Sequence, residues 1–177
     1  MKKLTVKDTV LFSVYGSMMF AFKQIEVVPN FHPTALIIAT LTIVYGAKAL
    51  IPTYIFIFLE GLYSGFGIWW FPYLYIWLPV CLLTLILPKK MSSRRATVSV
   101  CLICSLHGLL YGTLYAPYQC AVFLNGNIRL MFLWILSGLP FDALHMAGNF
   151  VQSFLAVPLA AVVSKLDGRA PYIDITP

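Results

Sequence analysis

Six apolar stretches alternate with short breaks along the chain, and most of them approach the length of about 20 residues that a helix needs to cross a bilayer. The breaks are "PNFHP", "YGAK" followed by Pro52, "SGFG", "PKKMSSRR" and "LNGN". Glycine and proline, which end helices, occur in nearly all of them. The pattern therefore predicts an all-α integral membrane protein with six transmembrane helices, at residues 9–28, 34–47, 49–65, 68–88, 96–123 and 141–164.

One apolar segment, "IRLMFLWILSGLP" at residues 128–140, is left over by this assignment. Its apolar core of about ten residues is too short to cross a bilayer. We expect it to form a short helix before the sixth span, lying across the mouth of the bundle. The whole chain, residues 1–177, is then a single transmembrane domain.

Composition supports the membrane class. Of the 177 residues, 60% are hydrophobic and 10% are charged, and the mean hydropathy is +0.87. Soluble domains carry about 25% charged residues, so this chain has too few polar groups to cover its own surface. The start of the chain is basic and then apolar, but Lys23 follows where a cleavage site would be expected, so we interpret it as a retained first span.

Lysine and arginine predict the orientation. If the N-terminus is cytoplasmic, ten of the twelve basic residues fall on the cytoplasmic side, and Lys23 and Arg129 fall outside. Cytoplasmic loops carry an excess of basic residues, so both termini are expected in the cytoplasm. The ten are Lys2, Lys3, Lys7, Lys48, Lys89, Lys90, Arg94, Arg95, Lys165 and Arg169. The net charge of +6 is thus loop charge, and no nucleic-acid motif accompanies it.

Polar groups gather at the predicted outer ends of the helices. Ionisable residues inside a membrane usually face a cavity and mark function, and an apolar, aromatic-walled cup with a few polar groups suits a small-molecule ligand. Asp142, His145 and Asn149 share one helical face because they are three and four residues apart. The candidate substrate-binding residues are Lys23, Glu26, Asn30, His32, Glu60, Trp69, Trp70, Tyr73, Asp142, His145 and Asn149.

Structural roles remain open for several of these residues. Lys23 and Glu26 are three apart and can pair with each other, and Asp142 can cap a helix that starts after Pro140. An aromatic run in the fourth predicted helix fits an interfacial belt in part, and some of its rings are expected to face inward and stack on a ligand ring. The run consists of Trp69, Trp70, Phe71, Tyr73, Tyr75 and Trp77. His107 is expected to make a structural hydrogen bond, and the four cysteines are expected to be small buried residues rather than a metal site.

Motifs for catalysis are missing from the sequence. It contains no phosphate-binding loop, no zinc-protease motif and no nucleophile elbow, so we expect no catalytic residues, no metal and no intrinsic cofactor. An intramembrane enzyme that uses Glu60, Asp142, His32 and His145, or an assembly subunit without a ligand, remains an alternative. Ser13, Ser17 and Ala21 recur every four residues, a spacing that lets another helix approach closely.

The chain resembles the substrate-binding S components of energy-coupling factor (ECF) transporters, which are bacterial vitamin importers. The resemblance covers nearly the whole chain and rests on its size, its predicted topology and the segments "IEVVPNFHP", "FIFLEGLYSGFGIWWFPYLYIW" and "SGLPFDALHMAGNF". The stripe at Ser13, Ser17 and Ala21 looks like the alanine-x-x-x-alanine docking motif of the family, although only Ala21 is alanine.

The resemblance implies a function in the bacterial cell membrane. An S component captures a vitamin outside the cell, associates with a transmembrane coupling subunit and two cytoplasmic ATPases, and topples to release its substrate inside. ATP would be used by those partner subunits. The chain is most similar to the cobalamin-type S components, so cobalamin is the lead substrate, with queuosine precursors, pantothenate and other vitamins as alternatives.

Overall fold

A computed structural model describes residues 4–25 and 31–176. Within them the protein is almost entirely helical, with nine α-helices, two short 3₁₀ turns and one pair of short strands. The helices are α1 (Val6–Gln24), α2 (Thr34–Tyr45), α3 (Leu50–Ser64), α4 (Tyr73–Ile76), α5 (Leu78–Leu85), α6 (Ser93–Leu109), α7 (Tyr111–Phe123), α8 (Ile128–Ser153) and α9 (Ala156–Asp167). The strands are β1 (Lys90–Ser92) and β2 (Asp174–Thr176), and the 3₁₀ turns are Gly46–Ala49 and Ile68–Trp70.

Helix α2 forms the centre of the molecule. All twelve of its residues are buried, and it packs against α5 and α9. A helix that is apolar on every side is expected only where other helices surround it. Gly46 ends α2 with a φ of +61°, a backbone conformation that side chains other than glycine rarely adopt.

The other helices form pairs around α2. Helix α1 begins with a capping box between Thr5 and Asp8 and packs on α3, where Gly16 meets Ile55. Helices α6 and α7 run along α8. Gly108 permits this contact, because a Cβ there would come 2.7 Å from the backbone nitrogen of Met146.

Four helical stretches in the described residues are long and apolar enough to cross a membrane: Thr34–Ser64, Ile68–Leu85, Ser93–Phe123 and Ile128–Ser153. The protein is therefore an all-α protein of membrane type. Helix α1, where the first span was predicted, is not among the four. Its 19 residues include Lys7, Asp8 and Lys23.

The prediction of a separate short helix before the sixth span was wrong. Residues 128–153 form one 26-residue helix with Pro140 inside it, and the helix breaks only at Phe154 and Leu155 before α9. Proline removes one backbone hydrogen bond, and membrane helices tolerate that loss when neighbouring groups compensate. The expected end of a helix at Pro140 therefore does not occur.

One end of the bundle is held by charged groups and by the strand pair. Asp8 of α1 pairs with Lys48 and with Arg169, and Asp167 pairs with Lys7 at 2.6 Å. Strand β2 runs parallel to β1, with Lys90 opposite Asp174. The backbone N–H groups of residues 172 and 173 also donate to the carbonyls of residues 44 and 43, so this segment caps the end of α2, where carbonyls lack helical partners. We call this region the basic end.

Candidate functional site

All three histidines of the chain converge in one aromatic cluster inside the bundle. His32, His107 and His145 are buried and surround Trp77 and Tyr111. We call these five residues the histidine cluster. The His145 ring lies 5.6 Å from that of His32 and 4.9 Å from that of Tyr111, and the Trp77 ring lies 5.3 Å from that of His107.

Separate elements bring these residues together. His32 precedes α2, Trp77 lies between α4 and α5, and His145 lies in the middle of α8. His107 lies in the last turn of α6 and Tyr111 begins α7, with only Leu110 between the two helices. The close contact of α6 with α8 then places His107 and His145 with their ring centres 6.1 Å apart.

The hydrogen bonds of His107 identify its tautomer. Its Nε2 lies 2.8 Å from the backbone oxygen of Ile76, and since a carbonyl only accepts, Nε2 carries the proton and donates it. The expected structural hydrogen bond of His107 is thus confirmed. In a neutral imidazole the other nitrogen, Nδ1, is an acceptor.

Several polar atoms of the cluster have no hydrogen-bond partner among the described residues. They are Nδ1 of His32, Nδ1 of His107, both ring nitrogens of His145 and Nε1 of Trp77. Buried polar groups are normally paired, because an unpaired one costs about 1–3 kcal/mol. Trp77 offers a donor, His107 an acceptor, and a neutral His145 one of each. The cluster therefore presents both donors and acceptors, which is the pattern that complements a neutral group such as an amide.

The charge state of His32 follows from its surroundings. Burial and the nearby positive charge of Lys23 lower the pKa of His32 to about 4, because both disfavour the protonated ring. His32 is therefore neutral at physiological pH and contributes polarity without positive charge.

A second polar group lies beside the histidine cluster, at the end of the bundle opposite the basic end. Glu60 of α3 is 1% exposed and pairs with Lys23 at 3.3 Å, and Gln24 donates to it at 2.9 Å. The Lys23 ammonium also lies 5.9 Å from the ring centre of Tyr73, whose ring lies 6.1 Å from that of Trp77. Tyr73 thus connects the Glu60 group to the cluster. Three of the predicted substrate-binding residues, Lys23, Glu60 and Tyr73, meet here.

Asp142 and Asn149 share the face of α8 that carries His145, as the spacing predicts, but both bind backbone. The Asp142 carboxylate accepts from the N–H of Gly112 at 3.1 Å and 3.2 Å, and the Asn149 amide donates to the oxygen of Cys104 at 3.0 Å. Asp142 lies in the middle of α8, so the helix cap considered at this position does not form. Both residues join α8 to α6 and α7.

The predicted tryptophans lie at the edge of this region. Trp70 donates from Nε1 to the backbone oxygen of Ile57 at 2.8 Å, and the Trp69 ring lies 5.5 Å from that of Tyr73. Both side chains are partly exposed. Two further predicted residues, Glu26 and Asn30, lie outside the described residues.

The small-residue stripe of α1 lies on the outside of the bundle. Ser13, Ser17 and Ala21 are all exposed, whereas the opposite face of α1, with Phe12 and Met19, is buried. The stripe is therefore accessible to another helix along its length.

The predicted substrate-binding residues did not include Trp77, Tyr111 or His107. The relevant signal was the scarcity of histidine: a chain of this length with three histidines, each in or beside an apolar segment, invites the question of whether they meet. No group of three or more histidine, cysteine, aspartate or glutamate side chains in the described part of the chain is arranged to hold a metal ion.

No family model, no curated protein and no solved structure matches this chain.

Proposed function

We propose that the protein is the S component of an ECF-type vitamin importer in a bacterial cell membrane. The observation that carries this proposal is the histidine cluster, in which buried polar atoms without partners lie beside the Glu60–Lys23 pair within an apolar bundle. A few placed polar groups among aromatic side chains are typical of the lining of small-molecule sites. Such a site, in a chain without an ATPase motif, suits a capture subunit that depends on partners.

The topology of the proposal follows the charge distribution. In this proposal the basic end faces the cytoplasm with both termini, and the Glu60 end faces outward, in agreement with the excess of basic residues in cytoplasmic loops. The proposal keeps six membrane passes, with α6–α7 and α8–α9 each counted as one pass despite the breaks at Leu110 and at 154–155.

The partners of the proposed subunit are a transmembrane coupling subunit and two cytoplasmic ATPases. The exposed stripe at Ser13, Ser17 and Ala21 supports docking on α1, because small residues let two helix backbones approach closely in a membrane. The captured vitamin would be delivered by toppling of the subunit, driven by ATP hydrolysis in the partners.

Cobalamin is the lead substrate. Its corrin ring is large and carries amide side chains, which suit the mixed donors and acceptors of the cluster and the aromatic residues around it. Queuosine precursors, pantothenate and other vitamins remain alternatives, because amide-type groups in such compounds could pair with the same donors and acceptors.

A thermal-stability panel of vitamins with the purified protein in detergent tests the proposal. A ligand at about 100 times its dissociation constant adds about 2.7 kcal/mol to the free energy of unfolding, so the true substrate is expected to raise the Tm clearly. His145→Phe keeps an aromatic ring but removes both unpaired nitrogens, and we expect it to lose most of that increase.

The double variant Ser17→Leu/Ala21→Leu is the matched control, because it changes only the exposed face of α1. It is expected to bind the vitamin like the wild type and to lose vitamin uptake in cells that contain the partner subunits. A Tm that no vitamin changes would contradict the proposal and favour a ligand-free assembly subunit. A stoichiometric metal without a cobalt-containing ligand would favour an intramembrane enzyme.

A further inference from the structure

A groove at the basic end combines positive charge with an apolar floor. It lies where β1 leads into α6 and has a volume of about 520 Å³. We call it the basic groove, and its lining residues are Pro88, Met91, Arg94, Arg95, Val98 and Ser99. The groove is separate from the histidine cluster and from the exposed stripe of α1.

The two arginines of the groove differ from other basic residues at this end. Lys7, Lys48 and Arg169 each make an ion pair with the carboxylate of Asp8 or Asp167. Neither Arg94 nor Arg95 makes an ion pair with a carboxylate in the part of the chain that the structure describes.

No local acidic residue offsets this charge. The first turn of α6 contains none, although acidic residues are the ones that stabilise a helix start. Asp174 lies opposite Lys90 in the strand pair but makes no ion pair with either arginine within the described residues. The groove therefore carries a positive charge that the described protein does not compensate.

An apolar track continues from the groove along α6. Val98, Leu102 and Leu106 follow Arg94 at intervals of four residues and are 52%, 61% and 49% exposed. At a rise of 1.5 Å per residue, the track from Arg94 to Leu106 is about 18 Å long. It lies on one of the four stretches that are long and apolar enough to cross a membrane, so it faces hydrocarbon once the helix is in a bilayer.

We infer that the basic groove binds one anionic phospholipid, with the phosphate at Arg94 and Arg95 and an acyl chain along Val98, Leu102 and Leu106. The planar guanidinium group matches the geometry of a phosphate and can donate two parallel hydrogen bonds to it. Basic pockets next to membrane helices bind anionic lipid headgroups, because opposite charges attract. The apolar track adds contact area that a soluble anion cannot use.

The test is lipid retention by the full-length protein, reconstituted into phosphatidylcholine vesicles with and without phosphatidylglycerol. Bound lipid is counted by native mass spectrometry after extraction in mild detergent. We expect wild-type protein to retain phosphatidylglycerol in preference to phosphatidylcholine. Arg94→Gln and Arg95→Gln should each weaken retention about fivefold, and the double variant about 25-fold, since each basic group near a membrane surface contributes a factor of about five.

Arg129→Gln/Lys165→Gln is the matched control, because it removes the same net charge outside the groove, and we expect it to retain phosphatidylglycerol like the wild type. If the two double variants lose phosphatidylglycerol retention equally, the inference of a specific site is overturned and general electrostatic attraction explains the binding. If inorganic phosphate alone stabilises the detergent-purified protein as much as phosphatidylglycerol does, the inferred ligand is a soluble anion and not a lipid. The melting temperature in detergent without added lipid verifies that each variant folds. If the double variant does not fold, the two single variants provide the test.

Discussion

Two carboxylates inside the helical bundle are held by different kinds of partner. Glu60 has the ammonium of Lys23 and the amide of Gln24 beside it, whereas both oxygens of Asp142 receive the backbone N–H of Gly112. A carboxylate taken out of water is costly unless it is paired or hydrogen-bonded. Spacing alone predicted that Asp142, His145 and Asn149 share a face, but the sequence does not specify which backbone groups lie opposite that face. For this reason the residue types were predictable and the structural roles of Asp142 and Asn149 were not.

Replacement of Asp142 tests its structural role. Asp142→Ala leaves the N–H of Gly112 without its acceptor, and a hydrogen bond to a charged group contributes about 1.5–3 kcal/mol. We therefore expect the free energy of unfolding to fall by about 2 kcal/mol. Asp142→Asn keeps one oxygen acceptor with nearly the same shape and should cost less than about 1 kcal/mol. Unfolding in mixed detergent micelles measures both variants, and equal losses in the two would rule out this hydrogen bond as the stabilising contact.

At the scale of helices, the apolar pattern predicted most elements, and it failed where tertiary contacts compensate for a local break. Pro140 was expected to end a helix and instead lies within α8. The predicted sixth span is broken at Phe154 and Leu155. Pro158 follows four residues after Phe154 and has no N–H to donate to the carbonyl of that residue. The pairing of β1 with β2 joins residues more than eighty positions apart, and three-residue strands carry too short a pattern to be recognised. Local sequence therefore predicts helix content well and helix continuity poorly.

The contact between α6 and α8 is the one on which the histidine cluster depends. A Cβ at Gly108 would lie 2.7 Å from the backbone nitrogen of Met146 and 2.8 Å from the carbonyl carbon of His145. Because backbone cannot move aside like a flexible side chain, Gly108→Ala should push the helices apart. We expect a loss of about 1–3 kcal/mol, measured by unfolding in mixed detergent micelles, and weaker binding of any ligand that stabilises the wild type.

Gly138→Ala is the control for that substitution. Gly138 is also within a helix, but a Cβ there meets no atom within 4 Å, and alanine favours a helix over glycine by about 1 kcal/mol. The control is therefore expected to unfold at the same temperature as the wild type or higher. If both substitutions destabilise the protein equally, the loss at Gly108 does not come from the close contact between α6 and α8.

At the scale of the whole molecule, polar contacts between distant parts of the chain lie at both ends of the bundle. At the basic end, Asp8 connects the start of α1 to Lys48 after α2 and to Arg169 after α9. At the other end, Glu60 connects α3 to Lys23 at the end of α1. The charge pattern of the sequence predicted that Lys7, Lys48 and Arg169 lie on the same side, and their ion pairs agree with that. It did not predict their carboxylate partners, because Asp8 binds the distant Lys48 and Arg169 rather than its neighbour Lys7. Asp167 binds the distant Lys7 as well as the nearby Arg169.

The Asp8 contacts make the stability of the molecule depend on pH. The backbone N–H of Thr5, followed by Arg169 and Lys48, holds the pKa of Asp8 well below its ordinary value. A lowered carboxyl pKa stabilises the folded state fully above the ordinary pKa of about 4, and this stabilisation is lost as the pH falls towards the lowered value. We expect Asp8→Asn to lower the Tm near neutral pH, with a difference from the wild type that shrinks progressively below about pH 4. Thermal unfolding in detergent over a pH series measures this difference.

Asp174→Asn is the control for this prediction. Asp174 is exposed at the same end and makes no ion pair within the described residues, so the substitution should leave the Tm at neutral pH unchanged. A difference between Asp8→Asn and the wild type that stays constant down to low pH would mean that the ionised carboxylate of Asp8 does not hold the basic end together.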